Sequence, residues 1–68
     1  MKPYIPQALF AISSLGLGHA TRTLAVIRAY LQRGYGITVV STGNALAFLR
    51  LELADSPGVD FRDMADYP

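Results

Sequence analysis

The sequence predicts an α/β fold with a parallel sheet, and three observations carry that prediction. Apolar or β-branched runs at 8–13 and 37–41 alternate with segments whose apolar residues recur at helical spacing. The connections between them are short and contain glycine. Of the 68 residues, 51% are apolar and 16% charged, which can fill a core and lies far from the pattern of disordered chains. The order β-α-β-α-β implies parallel strands joined by right-handed crossovers, the opening of a doubly wound domain.

Pro3 and Pro6 each fix their own φ and bias the preceding residue to extended backbone, so the fold starts near Gln7. Ala8 to Ser13 is a continuous apolar run without alternation, which predicts a strand covered on both faces. Gly16 and Gly18 then permit positive φ and close backbone approach, and predict a tight loop. From about Ala20 to Arg33, Ala20, Leu24, Ile27 and Leu31 form a stripe at spacings of four, three and four, a helix with one apolar face. It should stop at Gly34 or Gly36, with Arg33 in its last turn against the negative helix end. Ile37 to Ser41 reads as the second strand, rich in β-branched residues. Thr42 and Asn44 are both candidate caps for a second helix reaching about Leu53, which is apolar nearly all round and should meet the sheet on one side and something else on another. Asp55 to Gly58 is a turn, Val59 to Arg62 alternates like a third strand, and Asp66 to Pro68 reads as a further turn.

Six basic and five acidic residues leave a net charge of +1, and the arginines are spread along the chain, so no basic patch points to nucleic acid. There is no cysteine and one histidine, which excludes a disulfide framework and argues against a protein-built metal site. The longest apolar stretch is far below the roughly 20 residues of a membrane span, and the prolines flanking it disfavour a secretion signal. Three strands and two helices make about half of a doubly wound domain, and parallel sheets are normally covered on both faces. The expectation is therefore a partial domain, one segment of a longer polypeptide.

In open α/β sheets ligands bind beyond the carboxyl ends of the strands, so the loops that follow the strands hold the candidate site. Gly16-Leu17-Gly18-His19-Ala20-Thr21-Arg22 follows a strand and opens a helix, where free N–H groups and a positive helix end favour a bound anion such as phosphate. It is neither a phosphate-loop motif, lacking Gly-Lys-Ser/Thr, nor a dinucleotide fingerprint, because Thr21 stands where a third glycine belongs and Ser41-Thr42 offers no acid for a ribose. His19 is a candidate proton acceptor, or else a helix-end residue bonding a neighbouring loop. Arg22 shares its helix face and is a candidate anion ligand, or else a solvated surface arginine. Thr42 and Gly43 are candidates to contact the same ligand, although capping explains them as well.

Together with the helix end Arg33-Gly34-Tyr35 and the strand Ile37-Thr38-Val39-Val40-Ser41-Thr42-Gly43, this loop resembles the start of a GT-B glycosyltransferase. The likeness is to nucleotide-sugar transferases related to the UDP-glycosyltransferases and the peptidoglycan N-acetylglucosaminyltransferase, and it spans nearly the whole chain. It implies a Rossmann-like N-terminal domain, of which 1–68 is the first part, facing a C-terminal donor-binding domain that this chain does not include. It implies a nucleotide-sugar donor, a hydroxyl acceptor and no metal or other cofactor. It matches His19 to the base that deprotonates the acceptor, and Gly16 and Gly18 to the glycines that let the loop approach the donor diphosphate. The peptidoglycan enzyme carries adjacent glycines before its histidine and lacks this arginine spacing, so its acceptor does not transfer. Asp55, Asp60, Asp63 and Asp66 all stand open as the acid that would orient His19. The implied location is the cytoplasm, with peripheral membrane contact where the acceptor is a lipid. A related branch with Gly-x-Gly-His-x-x-Arg on the same fold hydrolyses nucleotide sugars, with the histidine activating water. A reading from another class is a non-catalytic module that binds a partner through the apolar second helix.

Overall fold

The computed structural model describes residues 4–12 and 17–66. Its elements are β1 (Gln7–Ala11), α1 (Leu17–Gln32), β2 (Gly36–Ser41), α2 (Gly43–Glu52), β3 (Val59–Asp63) and a short 3-10 turn, Met64–Asp66. The three strands form one parallel sheet in the order β1-β2-β3, with Ala8 opposite Ile37 and Ile37 opposite Val59. This is the predicted α/β architecture, a partial Rossmann-like unit.

Both helices lie on one face of the sheet. Ala20, Leu24 and Ile27 of α1 and Ala45 and Leu49 of α2 are buried in the same core as Ile37 and Val39. The alternate strand residues Ala8, Phe10, Val59 and Phe61 pack against that core. Because successive strand side chains point to opposite faces, Leu9, Thr38, Asp60 and Arg62 lie on the other side. There Leu9 is 66% exposed, and Asp60 pairs with Arg62 at 3.1 Å. The expectation that the first strand is covered on both faces is therefore not met within the chain: β1 alternates between half-buried and exposed. An unbroken apolar run says that both faces can be covered, but not that the same segment supplies both covers.

The α1 stripe packs as its spacing predicts, but the helix begins at Leu17, three residues before the first stripe residue. Its C-terminus is closed by a left-handed glycine. Gly34 has φ 86, its N–H donates to the Leu31 carbonyl at 3.0 Å, and the Tyr35 N–H donates to the Tyr30 carbonyl at 3.1 Å. That pair of bonds is the Schellman pattern, and its usual apolar contact is made by the Tyr30 and Tyr35 rings, 4.8 Å apart. Arg33 falls just beyond the last helical residue rather than inside the last turn. A Cβ at Gly34 would meet nothing within 4 Å, so Gly34→Ala should cost only the left-handed strain, about 1–2 kcal/mol. Chemical denaturation would show this, with Gly34→Asn retaining more stability than Gly34→Ala.

α2 is less uniformly buried than its composition implies. Ala45, Leu46 and Leu49 are buried, while Ala47 is exposed and Leu51 is 76% exposed. The helix touches β2, β3 and α1, so part of its second apolar side meets the neighbouring helix. Arg28 of α1 reaches within 3.5 Å of both the Glu52 carboxylate and the Glu52 carbonyl at the end of α2. The pair is exposed and adds little stability. Among the described residues, no helix is long and apolar enough to cross a membrane.

Candidate functional site

The carboxyl ends of β1 and β2 are adjacent; α1 is the next element after β1 in the chain, and β2 leads through Thr42 directly into α2. Parallel pairing with Ala11 opposite Val40 brings the two exits side by side, with strands roughly 4.8 Å apart. The pairing continues one step past β1, where the Ile12 N–H donates to the Val40 carbonyl at 2.9 Å.

At the first exit, Gly18 and His19 are the second and third residues of α1, and both are exposed. Gly16 lies outside the described residues. Gly18 differs from the expectation of a positive-φ loop glycine: its backbone is helical, and positive φ is confined to Gly34, Gly43 and Gly58 among the described glycines. A Cβ at Gly18 would meet nothing within 4 Å. Neither backbone conformation nor packing among the described residues requires glycine there, although glycine costs a helix about 0.5–1 kcal/mol relative to alanine.

Arg22 is exposed and stands one turn beyond His19, a spacing that puts their Cβ atoms roughly 5–6 Å apart on one helix face. No acidic residue occupies the first turn of α1. Among the described residues, the ion pairs go elsewhere: Arg28 to Glu52 and Arg62 to Asp60. The structure thus brings His19 and Arg22 together on one exposed face.

At the second exit, Thr42 holds the N-cap position with extended backbone, φ −154 and ψ 165, but makes no side-chain capping bond. The Leu46 N–H donates to the Thr42 carbonyl at 3.3 Å. Asn44 is inside α2 and does not cap it. Gly43 has φ 58, so the sharp strand-to-helix turn itself demands glycine at this position. That backbone requirement accounts for Gly43 without a ligand, whereas no such requirement appears for Gly18 among the described residues.

The four candidate acids separate by position. Asp55 precedes β3, at the amino ends of the strands and away from α1's start. Asp60 is paired with Arg62 on the open sheet face. Asp63 ends β3, and its carboxylate accepts the Ala65 N–H at 3.0 Å. Asp66 closes the 3-10 turn that follows. Since β2 lies between β1 and β3, the exits of β1 and β3 are about two strand spacings, or 10 Å, apart. The fold therefore sets Asp63 and Asp66 off from the exit that carries His19.

A second concavity among the described residues lies elsewhere. An open groove of about 540 Å³ runs along Leu31, Tyr35, Asp55, Pro57 and Gly58, beside the amino ends of β2 and β3. Its walls are mainly apolar and contain neither histidine nor arginine. His19 in the first turn of α1 and Thr42 and Gly43 at the start of α2 instead follow the carboxyl ends of β1 and β2, where α/β sheets place their ligands, and we take that edge as the site.

Ser41 is the residue that sequence reasoning missed. It is 0% exposed, and its hydroxyl donates to the Ile12 carbonyl at 2.8 Å. A polar residue ending an apolar strand was the available signal. No family model, curated protein or solved structure matches this chain closely enough to show a relationship.

Proposed function

We propose that the chain is the acceptor-side segment of a glycosyltransferase that moves a sugar from a nucleotide-sugar donor, UDP-linked, to a hydroxyl acceptor with inversion. The observation that carries this reading is the position of the single histidine. His19 is exposed in the first turn of α1, one turn before an arginine, beyond the carboxyl end of β1. An imidazole there is open to an acceptor hydroxyl and can take its proton as the oxygen attacks the anomeric carbon. The new C–O bond forms on one face of the sugar while the bond to the diphosphate breaks on the other, and the nucleoside diphosphate departs with the bonding electrons. The N–H groups at the start of α1, together with Arg22, suit the growing negative charge of that leaving group. Thr42 and Gly43 at the neighbouring exit suit contacts to the same group. A second Rossmann-like domain would hold the nucleotide, and a lipid acceptor would bring the protein to the cytoplasmic membrane surface.

The spacing of Gly16, Gly18, His19 and Arg22 also fits, as the second reading, a nucleotide-sugar hydrolase, in which His19 would activate water. Two measurements test these readings. The native protein detected through a peptide of this chain should have an intact mass several times 7.4 kDa, room for two domains of roughly 150 residues each. A native mass of 7.4 kDa would leave only a binding module. With the native protein and a UDP-sugar, label carried to an added acceptor identifies the transferase, free sugar identifies the hydrolase, and no turnover of any nucleotide sugar defeats both.

A further inference from the structure

We infer that Ser41 is a positioning residue that braces the two strand exits of the candidate site against each other; the inference rests on the reading of that site just given. The regular parallel pattern explains why a side chain is needed at this point. With the Ile12 N–H bonded to the Val40 carbonyl, the next rung of the ladder would bring the Thr42 N–H to the Ile12 carbonyl. Thr42 is instead the residue at which the chain leaves the sheet, followed at once by the left-handed Gly43 and the first turn of α2. The Ile12 carbonyl accepts the Ser41 hydroxyl at 2.8 Å. One buried hydroxyl thereby holds the last sheet residue of the first exit to the last residue of β2.

The placement makes this brace specific to the site. Ser41 shares the helix-side face of β2 with Ile37 and Val39, and the residues that open onto the ligand edge leave from its two ends. Beyond Ile12 the chain leads to Gly18, His19 and Arg22; beyond Ser41 it leads to Thr42 and Gly43. Ser41 is the one polar side chain among the buried described residues, and no buried side-chain polar atom among them lacks a partner. An apolar residue would fill the space as well but would leave the Ile12 carbonyl without its donor. The hydroxyl does what filling cannot: beside the Ile12 N–H to Val40 bond it adds a second tie between Ile12 and the last residue of β2, the two points after which the chain turns toward His19 and toward Thr42 and Gly43.

The test uses the native protein and nucleotide-sugar turnover. Ser41→Ala should lower kcat by about 10- to 100-fold, the scale of a small misplacement of reacting groups, with KM for the donor changed less than threefold. Ser41→Thr, which keeps the hydroxyl, should restore most of that loss. Because the brace acts through the placement of His19, the Ser41→Ala loss should largely disappear in a His19→Ala background rather than multiply with it. Full multiplication of the two losses, or Ser41→Ala turnover equal to wild type in a protein where His19→Ala is impaired, would overturn the brace and leave the catalytic reading intact. Wild-type turnover in His19→Ala would overturn the catalytic reading and, with it, the brace. Should Ser41→Ala fail to fold, Ser41→Cys, of similar size and with a weak donor, takes its place, with kcat expected between the Ala and Thr values.

Discussion

Replacing His19 with alanine is expected to lower turnover by about 10² to 10⁴, the usual contribution of a positioned general base, with little change in KM. That range is equivalent to roughly 2.7–5.5 kcal/mol of transition-state stabilisation. The structure makes the substitution a clean one. His19 is exposed in the first turn of α1 and lines no part of the core, so its removal opens no cavity. Alanine is also a strong helix former, and exposed substitutions of this kind stay within about 0.5 kcal/mol in stability. Loss of rate with an unchanged unfolding midpoint would therefore report chemistry rather than folding. Steady-state kinetics of the native protein beside a denaturation curve decide the matter, and a folded His19→Ala protein that turns over at the wild-type rate sinks both the transferase and the hydrolase.

Ile27→Ala is expected to have the largest effect on stability, about 2–5 kcal/mol. Ile27 is 0% exposed, lies at the centre of the α1 stripe, and shares the core with Ile37 and Val39. Ile27→Val removes one methylene and should cost only about 0.5–1.5 kcal/mol. Val26, one residue away and 46% exposed, provides the control, since Val26→Ala should cost well under half as much as Ile27→Ala. Urea denaturation of the three variants gives the ranking, and equal losses at 26 and 27 would mean that α1 does not pack through the stripe described.

The α1 stripe was legible because a helix repeats every 3.6 residues, and Ala20, Leu24 and Ile27 could share a face in no other regular structure. The β2 run was legible for a similar reason, since five residues rich in branched side chains suit a pleated, buried strand. Gly34 and Gly36 were both readable as helix stops, because glycine suits the left-handed turn that ends a helix, and the structure makes that turn at Gly34. The helix start was not. Gly18 looked like a loop residue because glycine is the usual marker of irregular backbone, yet in the fold it sits in the first helical turn.

The candidate site divides along the same line. His19 and Arg22 were paired by spacing alone, because three residues along a helix is a spatial contact as well as a sequence interval. The orienting acid could not be narrowed that way, since Asp55, Asp60, Asp63 and Asp66 differ only in which end and which face of the sheet they occupy. Ser41 and Ile12 are 29 residues apart, and nothing local in either predicts that one holds the other.

What the sequence determined by itself was local: the strand and helix order, the α1 stripe and its stop at one of two nearby glycines, and the face shared by His19 and Arg22. Each follows from backbone sterics and from a period of two or 3.6 residues. What only the tertiary structure decided was long-range: both helices on one face, Leu9 left exposed on the other, the acids distributed around the sheet, and Ser41 closing the ladder at Ile12. These depend on which strands lie side by side and in what register, which is set by burial across the whole sheet rather than by any one segment.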